Sequence, residues 1–350
     1  MFLSAHAKQL AHTFNLQHPI IQAPMAGIST AATVASACET GILGSLGAGM
    51  LEPAAIKTTV EEIRRLTDKP FNLNLFILDD TPPQIFSDHD ISGLQHIHKT
   101  LNLSDLNTPQ KYAPRFLEQF NTLLELRPAM ASFTFGLLTI AQVTQLHEHG
   151  CYVVGTATTL DEALAWQAVG ADAICLQGVE AGGHRGMFLQ PEDRGMSLFT
   201  LLAEVRAQIQ LPLIAAGGIM TGQAIAAAQC LGADLVQLGT AFLFCDEMII
   251  APAYRQQLLA AKGHHTQLTQ AFSGKFARGI ENQFMRDMAH EKALAYPIQN
   301  ALTGPLRKWA KEQDNPEYMS LWSGQGVGLG RSMPISQLVE TLAAEWQQCR

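Results

Sequence analysis

A glycine-rich loop that carries one histidine is the part of this sequence whose residues could most directly do chemistry. It runs from Gln177 to Gly186 and follows an apolar, strand-like segment that ends at Leu176. Glycines lack a Cβ atom, so such a loop lets backbone lie close to a bound ligand. The imidazole of His184 can accept a proton near neutral pH. The loop therefore predicts a general base beside a ligand, and an ordinary turn with a surface histidine is the alternative.

Two further glycine-bearing segments follow predicted strands and could bind a phosphate group. Exposed backbone N–H groups at glycines bind anions, and a threonine hydroxyl adds a donor. The predicted phosphate-binding residues are Gly217, Gly218, Gln237, Leu238, Gly239 and Thr240. Tight packing of a helix against a strand is the alternative explanation of these glycines.

Amide and thioether side chains near the same predicted strand ends suit the ring of a cofactor. In the segment Ala23-Pro24-Met25, the methionine could pack against a ring face. Asn74 and Gln177 can both donate and accept hydrogen bonds at the edge of a ring. A ring site beside a phosphate site predicts flavin mononucleotide, FMN. Asn72 remains an alternative to Asn74.

The elements that must position these residues are apolar segments alternating with segments of helical period. This alternation predicts a parallel sheet covered by helices on both faces. The repeat of about 30 residues is that of a (β/α)8 TIM barrel, in which ligands bind at the carboxyl ends of the strands. The predicted strands are Pro19–Pro24, Gly41–Leu46, Phe71–Phe76, Ala129–Phe135, Tyr152–Thr156, Ala173–Gln177, Pro212–Ala216 and Leu235–Gly239. The predicted helices include Pro53–Leu66, Leu160–Val169, Leu198–Gln208 and Gly222–Leu231.

A short internal sequence repeat supports the barrel. The segments Gly170–Gly178 and Gly232–Gly239 both begin Gly-Ala-Asp, with a glycine that ends a helix and an aspartate that precedes a strand. A doubly wound sheet is the alternative architecture. The segment Gly44–Gly49 has its glycines in the wrong order for the dinucleotide-binding fingerprint of that fold.

The chain divides into three predicted regions. Residues 1–245 form an FMN-binding barrel, residues 246–334 a small helical subdomain, and residues 335–350 a helix that returns to the barrel. The polar, proline-bearing segment 79–108 is expected to be an elaborated loop, a wall or a lid. Helices are predicted in the C-terminal regions over Ala253–Lys262, Gln283–Leu294, Leu306–Gln313 and Ile335–Gln348.

Composition excludes several classes of partner. The 350 residues carry a net charge of −8 without blocks of like charge, so nucleic acid and anionic membrane are not expected partners. The six cysteines are scattered, which predicts reduced thiols and a cytoplasmic location. The uncharged run 207–233 contains proline, glycine and glutamine, which favour a strand, a turn and a helix over a membrane span. Neighbouring histidines lack metal-site spacing, so no metal is expected.

Several motifs resemble those of the nitronate monooxygenases, formerly called 2-nitropropane dioxygenases. They are Gln22–Ala26, Phe71–Leu75, Gln177–Gly186, Ala215–Ile219 and Gln237–Thr240. The segments Leu302–Arg307 and Tyr318–Gln325 resemble the first class of that family. The barrel motifs are shared with flavin-dependent enoyl reductases and NADH:quinone reductases, so they specify fold and cofactor better than substrate.

The resemblance implies a role for each motif. It implies that Gln177, Gly182, Gly218 and Gln237–Thr240 hold FMN, with Asn74 and Ala23–Met25 along the ring, and that His184 is the catalytic base. It places Trp322 in the substrate pocket, at a position where the family often has tyrosine. Tyr296 and Tyr318 are further pocket candidates, with half-buried packing as the alternative for both.

The implied reaction is oxidation of an alkyl nitronate, of the propionate 3-nitronate type, by molecular oxygen. A nitroalkane is a second expected substrate. The oligomeric state is left open, with a homodimer as the candidate. An NAD(P)H-dependent flavin reductase acting on a quinone or an enoyl thioester is the alternative within the superfamily. A flavin-free, aldolase-like barrel would need a lysine at a strand end, and no predicted strand contains one. Lys275 and Arg278 either close over the cofactor or attract an anionic substrate, and ordinary surface charges are the alternative.

Overall fold

The computed structural model describes residues 4–79 and 86–349. Eight parallel strands line the barrel: β1 Ile20–Gln22, β2 Gly44–Gly47, β3 Phe71–Phe76, β4 Met130–Thr134, β5 Tyr152–Ala157, β6 Ala173–Gln177, β7 Leu213–Ala216 and β8 Leu235–Leu238. Their order in the sheet is β1-β8-β7-β6-β5-β4-β3-β2. A parallel bridge between Ile21 and Leu43 joins the two end strands. The predicted (β/α)8 barrel is therefore confirmed, and the doubly wound alternative is wrong because that fold leaves its sheet open.

Helices alternate with these strands and continue after the last one. They are α1 Ala5–Thr13, α2 Ala31–Glu39, α3 Pro53–Leu66, α4 Ser92–Thr100, α5 Phe116–Leu126, α6 Ile140–Glu148, α7 Leu160–Ala168, α8 Leu198–Arg206, α9 Gly222–Cys230, α10 Thr240–Leu243, α11 Pro252–Ala260, α12 Gln283–Asp287, α13 Ile298–Leu302, α14 Gly304–Glu312 and α15 Ile335–Gln348. Single 3₁₀ turns lie at Asp88–Ile91, Gly263–His265, Pro316–Tyr318 and Val327–Leu329.

Several helices that follow barrel strands begin at a serine or threonine cap. The caps of α2, α6, α7, α8 and α9 are Thr30, Thr139, Thr159, Ser197 and Thr221. Each side chain accepts a hydrogen bond from a first-turn N–H group that has no helical partner, which stabilises a helix by about 1 kcal/mol. These local signals explain why the helices predicted in the barrel are confirmed with ends that agree to about two residues.

The repeated Gly-Ala-Asp sequence has the same structural function in both copies. Gly170 and Gly232 have φ values of +91° and +103° just after α7 and α9, a conformation that glycine adopts readily. Asp172 then accepts a hydrogen bond at 2.7 Å from a backbone N–H near the start of β5. Asp234 accepts one at 2.9 Å from the first N–H of β7. The repeated Gly-Ala-Asp sequence thus connects neighbouring strands at their amino ends.

Helix α1 closes the amino end of the barrel. Leu10, Phe14 and Leu16 pack against inward-facing side chains of the strands. These inward-facing residues are Ile21, Met130, Val154, Ala173, Cys175, Ile214 and Leu235, together with Leu43 just before β2. Apolar side chains therefore fill this end, and room for a ligand remains at the carboxyl end of the strands.

A second hydrophobic core lies outside the barrel. It joins α4, from the insertion after β3, to α12, α13 and α14. Its members include Ile91, Leu94, Ile97, Phe272, Phe284, Met285, Met288, Ile298, Leu302 and Leu306. The described part of the 79–108 insertion therefore packs as a wall of this core. Pro82 and Pro83, on which the loop prediction partly rested, lie outside the described residues.

The segment 246–334 contains helices α11 to α14, but it also contains a hairpin that the sequence did not predict. Strands Thr266–Thr269 and Ala277–Ile280 pair antiparallel. The second of them also pairs with the short strand Gly183–His184, beside the predicted catalytic histidine. The helix predicted over Gln283–Leu294 ends at Asp287. Beyond it, the N–H of Leu294 donates to the side chain of Gln299, so a local side-chain hydrogen bond replaces a helical one.

The last helix packs against helices of the barrel. Helix α15 packs against α9 and α2. The Glu345 carboxylate accepts a 2.8 Å hydrogen bond from the N–H of Gly222, at the start of α9. The Trp346 indole donates at 2.8 Å to Oε1 of Gln229.

The uncharged run 207–233 forms β7, a glycine turn and α9, as the sequence analysis favoured. Among the helices of residues 4–79 and 86–349, none is both long and apolar enough to cross a membrane.

Candidate active site

A cavity of about 400 Å³ lies at the carboxyl ends of the barrel strands. This volume lies within the usual range of small-molecule sites. Loops after β1, β6, β7 and β8 form its walls, together with residues of the C-terminal segment. The predicted site residues that line it are Ala23, Pro24, Met25, Asn74, Gln177, Gly182, His184, Gly217, Gly218, Gln237, Leu238, Gly239, Thr240, Tyr296 and Trp322. Residues distant in the sequence therefore meet at one site.

His184 lies among aromatic side chains. Its ring centroid is 5.6 Å from that of Phe135, 5.9 Å from that of Tyr296 and 5.5 Å from that of Trp322. Phe135 follows β4 and has an unusual φ of +79°. Tyr296 and Trp322, which the sequence analysis named as pocket candidates, therefore lie beside the histidine, and Phe135 is a neighbour that the sequence gave no reason to single out.

The surroundings of His184 favour its neutral form. Burial lowers the pKa of the imidazole from 6.5 to about 3, and the positive charges of Arg307 and Lys275 add to this effect. Burial also lowers the pKa of the Lys275 ammonium group. Its Nζ lies 4.7 Å from the centroid of the Phe135 ring, in a cation–π contact. The site thus combines an unprotonated base with nearby positive charge.

This electrostatic setting predicts an unusual pH profile. A base whose pKa is lowered stays deprotonated at pH values where an ordinary histidine is protonated. For a neutral substrate whose proton passes to His184, kcat/KM reports the free enzyme and is therefore expected to show no acid limb near the ordinary histidine pKa of 6.5. Initial rates from about pH 5 to about pH 8 test this. The control is a measurement of protein stability at each pH that does not depend on turnover. An acid limb centred near 6.5 would contradict the assigned environment.

The side chain of Gln177 holds the histidine loop in place. Its Nε2 donates to the carbonyl of His184 at 3.0 Å. Its Oε1 accepts from Nη1 of Arg185 at 3.0 Å and from the N–H of Gly186 at 2.8 Å. Arg185 in turn forms a buried ion pair with Asp193 at 2.6 Å. One Nε2 proton of Gln177 remains for a ligand, so the amide that was predicted to face a cofactor mainly fixes the loop.

Asn74 is the asparagine that reaches the cavity. Alternate residues of a strand face the same side, so Asn72 and Asn74 both point into the barrel, Asn74 nearer its carboxyl end. Asn72 donates to the hydroxyls of Ser45 and Ser132, at 3.1 and 3.0 Å. Asn74 donates to the Ser132 hydroxyl at 3.0 Å. Of the two, Asn74 lines the cavity, so the structure favours it over Asn72.

A glycine-rich strap, residues 323–330, lies against the loops after β6 and β8. The N–H of Gly324 donates to the Thr240 hydroxyl at 2.9 Å, and the N–H of Gln325 donates to the carbonyl of Glu180 at 2.9 Å. A Cβ atom on Gly182 would lie 2.5 Å from the nitrogen of Gly324. Gly182 is therefore required by the approach of the strap, a contact between distant segments that the local sequence does not reveal.

Replacing Gly182 by alanine is expected to displace the strap and lower the melting temperature. The new methyl group would meet backbone atoms, which cannot rotate away. Gly183→Ala is the matched control, because Gly183 has a φ of +73° but open space around its Cβ position. That control carries only the cost of a left-handed alanine, about 1 kcal/mol. Thermal unfolding of both variants is the measurement, and an equal loss in the two would contradict the close-approach argument.

Arg307 lines the cavity, and the sequence analysis assigned it no function. Its Nη2 donates to the carbonyl and side-chain oxygens of Asn300, at 2.6 and 2.9 Å. Its Nε is buried without a partner, and no carboxylate pairs with it within the described ranges 4–79 and 86–349. Burial lowers its pKa to about 10, so the guanidinium is charged near neutral pH. A buried cation without a carboxylate partner is costly and points to an anionic ligand.

A sequence signal for Arg307 was available. It lies three residues before Ala310, on the side of α14 that also buries Leu306. An arginine on the apolar face of an amphipathic helix is a candidate for a buried function, because charged side chains are rarely buried without a partner.

Tyr318 is not among the residues that line the cavity. Its ring packs 6.3 Å from Trp309 and 6.4 Å from Phe284, and its hydroxyl lies 3.4 Å from Oδ2 of Asp287. Tyr318 therefore packs against other side chains instead of lining the pocket. The reason is that the 3₁₀ turn at Pro316–Tyr318 lies on the second core.

Arg278 and Lys275 occupy different environments. Arg278 donates to the carbonyls of Val179 and Thr266, at 2.8 and 3.2 Å, which ties the hairpin to the barrel. Lys275 instead lies close enough to His184 to affect its pKa. Of the two basic residues left open by the sequence, Lys275 belongs to the site. Within the described residues, no cluster of His, Cys, Asp and Glu could hold a metal ion.

Nearly all of the chain, including these loops, corresponds to one protein family. The family model described as nitronate monooxygenase matches residues 7–345. The chain belongs to the nitronate monooxygenase family. It is 39% identical over 355 residues to a nitronate monooxygenase of Paraburkholderia phytofirmans, covering 97% of this chain and 95% of the relative. It is 38% identical over 339 residues to a probable nitronate monooxygenase of Bacillus subtilis, covering 95% and 97%.

Solved structures of related enzymes resemble this chain over nearly its whole length. A nitroalkane oxidase from Streptomyces ansochromogenes superposes with a TM-score of 0.89 at 37% identity, covering 97% of this chain and 98% of that one. FabK from Thermotoga maritima superposes with a TM-score of 0.78 at 26% identity, covering 97% and 96%. The family resemblance read from the motifs is therefore confirmed. This nitronate monooxygenase family member is a flavin-dependent oxidoreductase that acts on small molecules with oxygen.

Proposed function

We propose that this enzyme uses FMN and molecular oxygen to oxidise alkyl nitronates of the propionate 3-nitronate type. The products are an aldehyde or oxo acid with nitrite or nitrate. The observation that carries the proposal is a neutral His184 beside an arginine that has no carboxylate partner among the described residues. The neutral imidazole has a lone pair that can accept the α-proton of a nitroalkane, whereas a nitronate is already deprotonated and needs no base. The Arg307 guanidinium favours the anionic form.

The residues at the cavity fit FMN. Gly217 and Gly218 have φ values of +119° and +69°, so their backbone can curve around a phosphate. A Cβ atom on Gly217 would lie 3.1 Å from the backbone nitrogen of Ala181, and one on Gly218 would lie 3.3 Å from Cβ of Glu180. The Thr240 hydroxyl accepts from Gly324 and keeps its own proton for a phosphate oxygen. We propose that these residues hold the phosphate while Asn74 and Met25 contact the ring.

The protein's own contribution is binding, orientation and control of water. A bound flavin supplies the electron-accepting chemistry. Tyr296, Trp322 and Phe135 surround His184 and limit the access of water to it. When the substrate is a neutral nitroalkane, His184 takes the α-proton and Arg307 stabilises the nitronate that forms. These assignments are proposals for this chain; the related Streptomyces protein is itself described as a nitroalkane oxidase.

Oxygen consumption tests the function directly. The purified enzyme, reconstituted with FMN if necessary, is expected to consume oxygen on addition of a nitronate without NADH and to release nitrite. Visible flavin absorbance on the protein is the first requirement. A colourless protein that does not take up FMN would refute both the cofactor and the reaction.

A flavin reductase is the second candidate. The FabK neighbour, at 26% identity, shows that the same barrel occurs in the related branch. Rapid NADH oxidation with a quinone or an enoyl thioester, together with indifference to nitronates, would favour this alternative. The free thiols of Cys38, Cys151, Cys175 and Cys245 support our proposal of a reducing, cytoplasmic location.

A further inference from the structure

Ser273 is a buried hydroxyl in direct contact with the proposed base. It lies in the turn between the two hairpin strands and is 1% exposed. Its Oγ is 2.8 Å from Nε2 of His184. The pairing of Ala277 with His184 fixes the hairpin against the histidine loop. The tight turn also requires glycine next to Ser273, because Gly274 has a φ of +84° and a Cβ there would lie 2.0 Å from a backbone oxygen.

The hydrogen bonds around this hydroxyl select one arrangement of protons. The N–H of Lys275 donates to Oγ at 3.3 Å, and the carbonyl of Lys275 lies 3.2 Å away as an acceptor. A hydroxyl has one proton and two lone pairs. If the proton goes to the Lys275 carbonyl, the second lone pair is free to accept Nε2–H of His184. This arrangement satisfies all three contacts, whereas a hydroxyl that donates to Nε2 gives up the bond to the carbonyl.

The other imidazole nitrogen is left for the substrate. Nδ1 of His184 has no hydrogen-bond partner in the part of the chain that the structure describes, while the residue lines the cavity. A neutral imidazole carries one N–H and one lone pair, and the partner of one nitrogen decides which nitrogen can accept a proton. With Nε2 protonated, Nδ1 presents the lone pair.

We propose that Ser273, backed by the Lys275 carbonyl, is a positioning residue that holds neutral His184 in the Nε2–H tautomer. Nδ1 is then the atom that takes the α-proton of a nitroalkane. The C–H bond breaks, the proton moves to Nδ1, and its electron pair stays on the substrate as the nitronate; no oxidant takes part in this step. The inference rests on the proposed function, because it assigns the base of that reaction.

The test compares Ser273→Ala with the native enzyme on two substrates. Loss of the hydroxyl frees the tautomer equilibrium, so kcat/KM for a neutral nitroalkane is expected to fall about tenfold, which corresponds to about 1.4 kcal/mol. The kcat/KM for the preformed nitronate of the same compound is expected to change by less than about twofold. Ser273→Thr keeps the hydroxyl and is expected to restore nitroalkane turnover.

A spectroscopic signature separates tautomer control from a merely structural effect. In protein labelled with ¹⁵N-histidine, the His184 resonances can be assigned by their loss in His184→Asn. They are expected to show a protonated Nε2 and an unprotonated Nδ1 in the native enzyme, and a mixture in Ser273→Ala. Thr269→Ala is the matched control, since Thr269 lies on the same hairpin and its hydroxyl accepts only from the N–H of Ala271 among the described residues.

Two outcomes would overturn the inference. One is equal loss on nitroalkane and nitronate in Ser273→Ala, and the other is a native His184 protonated at Nδ1. Neither depends on whether nitronates are the best substrate, because native turnover of nitronate tests the proposed function separately.

Discussion

His184→Ala is expected to slow turnover of a neutral nitroalkane by about 100-fold or more, the lower range for loss of a general base. The same variant is expected to retain most of its turnover of the preformed nitronate. The physical reason is that only the nitroalkane has an α-proton to lose, and Nδ1 of His184 is the proposed acceptor. Steady-state oxygen consumption with both substrates, at one pH where each is stable, gives the two ratios.

The control for this prediction is Tyr296→Phe. Tyr296 packs beside His184 and its hydroxyl contacts Met50 at 3.0 Å, so the phenylalanine keeps the aromatic wall and removes a group outside the proton path. The two substrates are expected to respond alike in this control. If His184→Ala reduces both substrates by the same factor, the base assignment fails and the histidine is serving in binding or in shaping the cavity.

Arg307→Met is expected to give opposite effects on activity and on stability. Binding of the anionic nitronate loses charge-assisted hydrogen bonds, which contribute about 1.5–3 kcal/mol and correspond to about 10- to 100-fold in kcat/KM. Folding, in contrast, no longer has to bury a cation that lacks a carboxylate partner, so the melting temperature is expected to hold or rise. The long, unbranched methionine fills much of the same space.

Two comparisons make this prediction sharp. Arg307→Lys keeps the charge without the planar fork and is expected to fall between the native enzyme and Arg307→Met. Raising the ionic strength is expected to weaken nitronate binding less than the substitution does, because screening acts weakly on buried charge. If Arg307→Met keeps the native kcat/KM for nitronate, Arg307 does not bind the substrate. The main support for an anionic substrate is then lost.

The barrel was predictable because its signals are local. Apolar strands, serine and threonine caps and glycines after helices recur about every 30 residues, and each is visible within a few positions of the chain. Gly217 and Gly218, which we propose to bind phosphate, follow β7 directly, so their place at the carboxyl end was fixed once the strand was recognised. The same holds for Met25 after β1 and Asn74 in β3.

The neighbours of His184 were less predictable because they come from distant segments. Ser273 and Lys275 reach it through a hairpin that the sequence analysis had taken as part of a helical region. Phe135 reaches it because its own backbone, just after β4, adopts a positive φ of +79°. None of these contacts follows from the residues on either side of the histidine, so the pKa of about 3 could not be read from the sequence.

The sequence by itself determined the repeating fold, the position of the glycine loops and the presence of one histidine among them, because strand, helix and turn preferences act over short distances. Only the tertiary structure decided how these groups are used. It showed that Gln177 chiefly clamps the loop, that Gly182 makes room for the strap, that Tyr318 packs outside the cavity, and that Arg307 reaches into it. These outcomes depend on packing and on hydrogen bonds between segments far apart in the chain, and only folding brings such segments together.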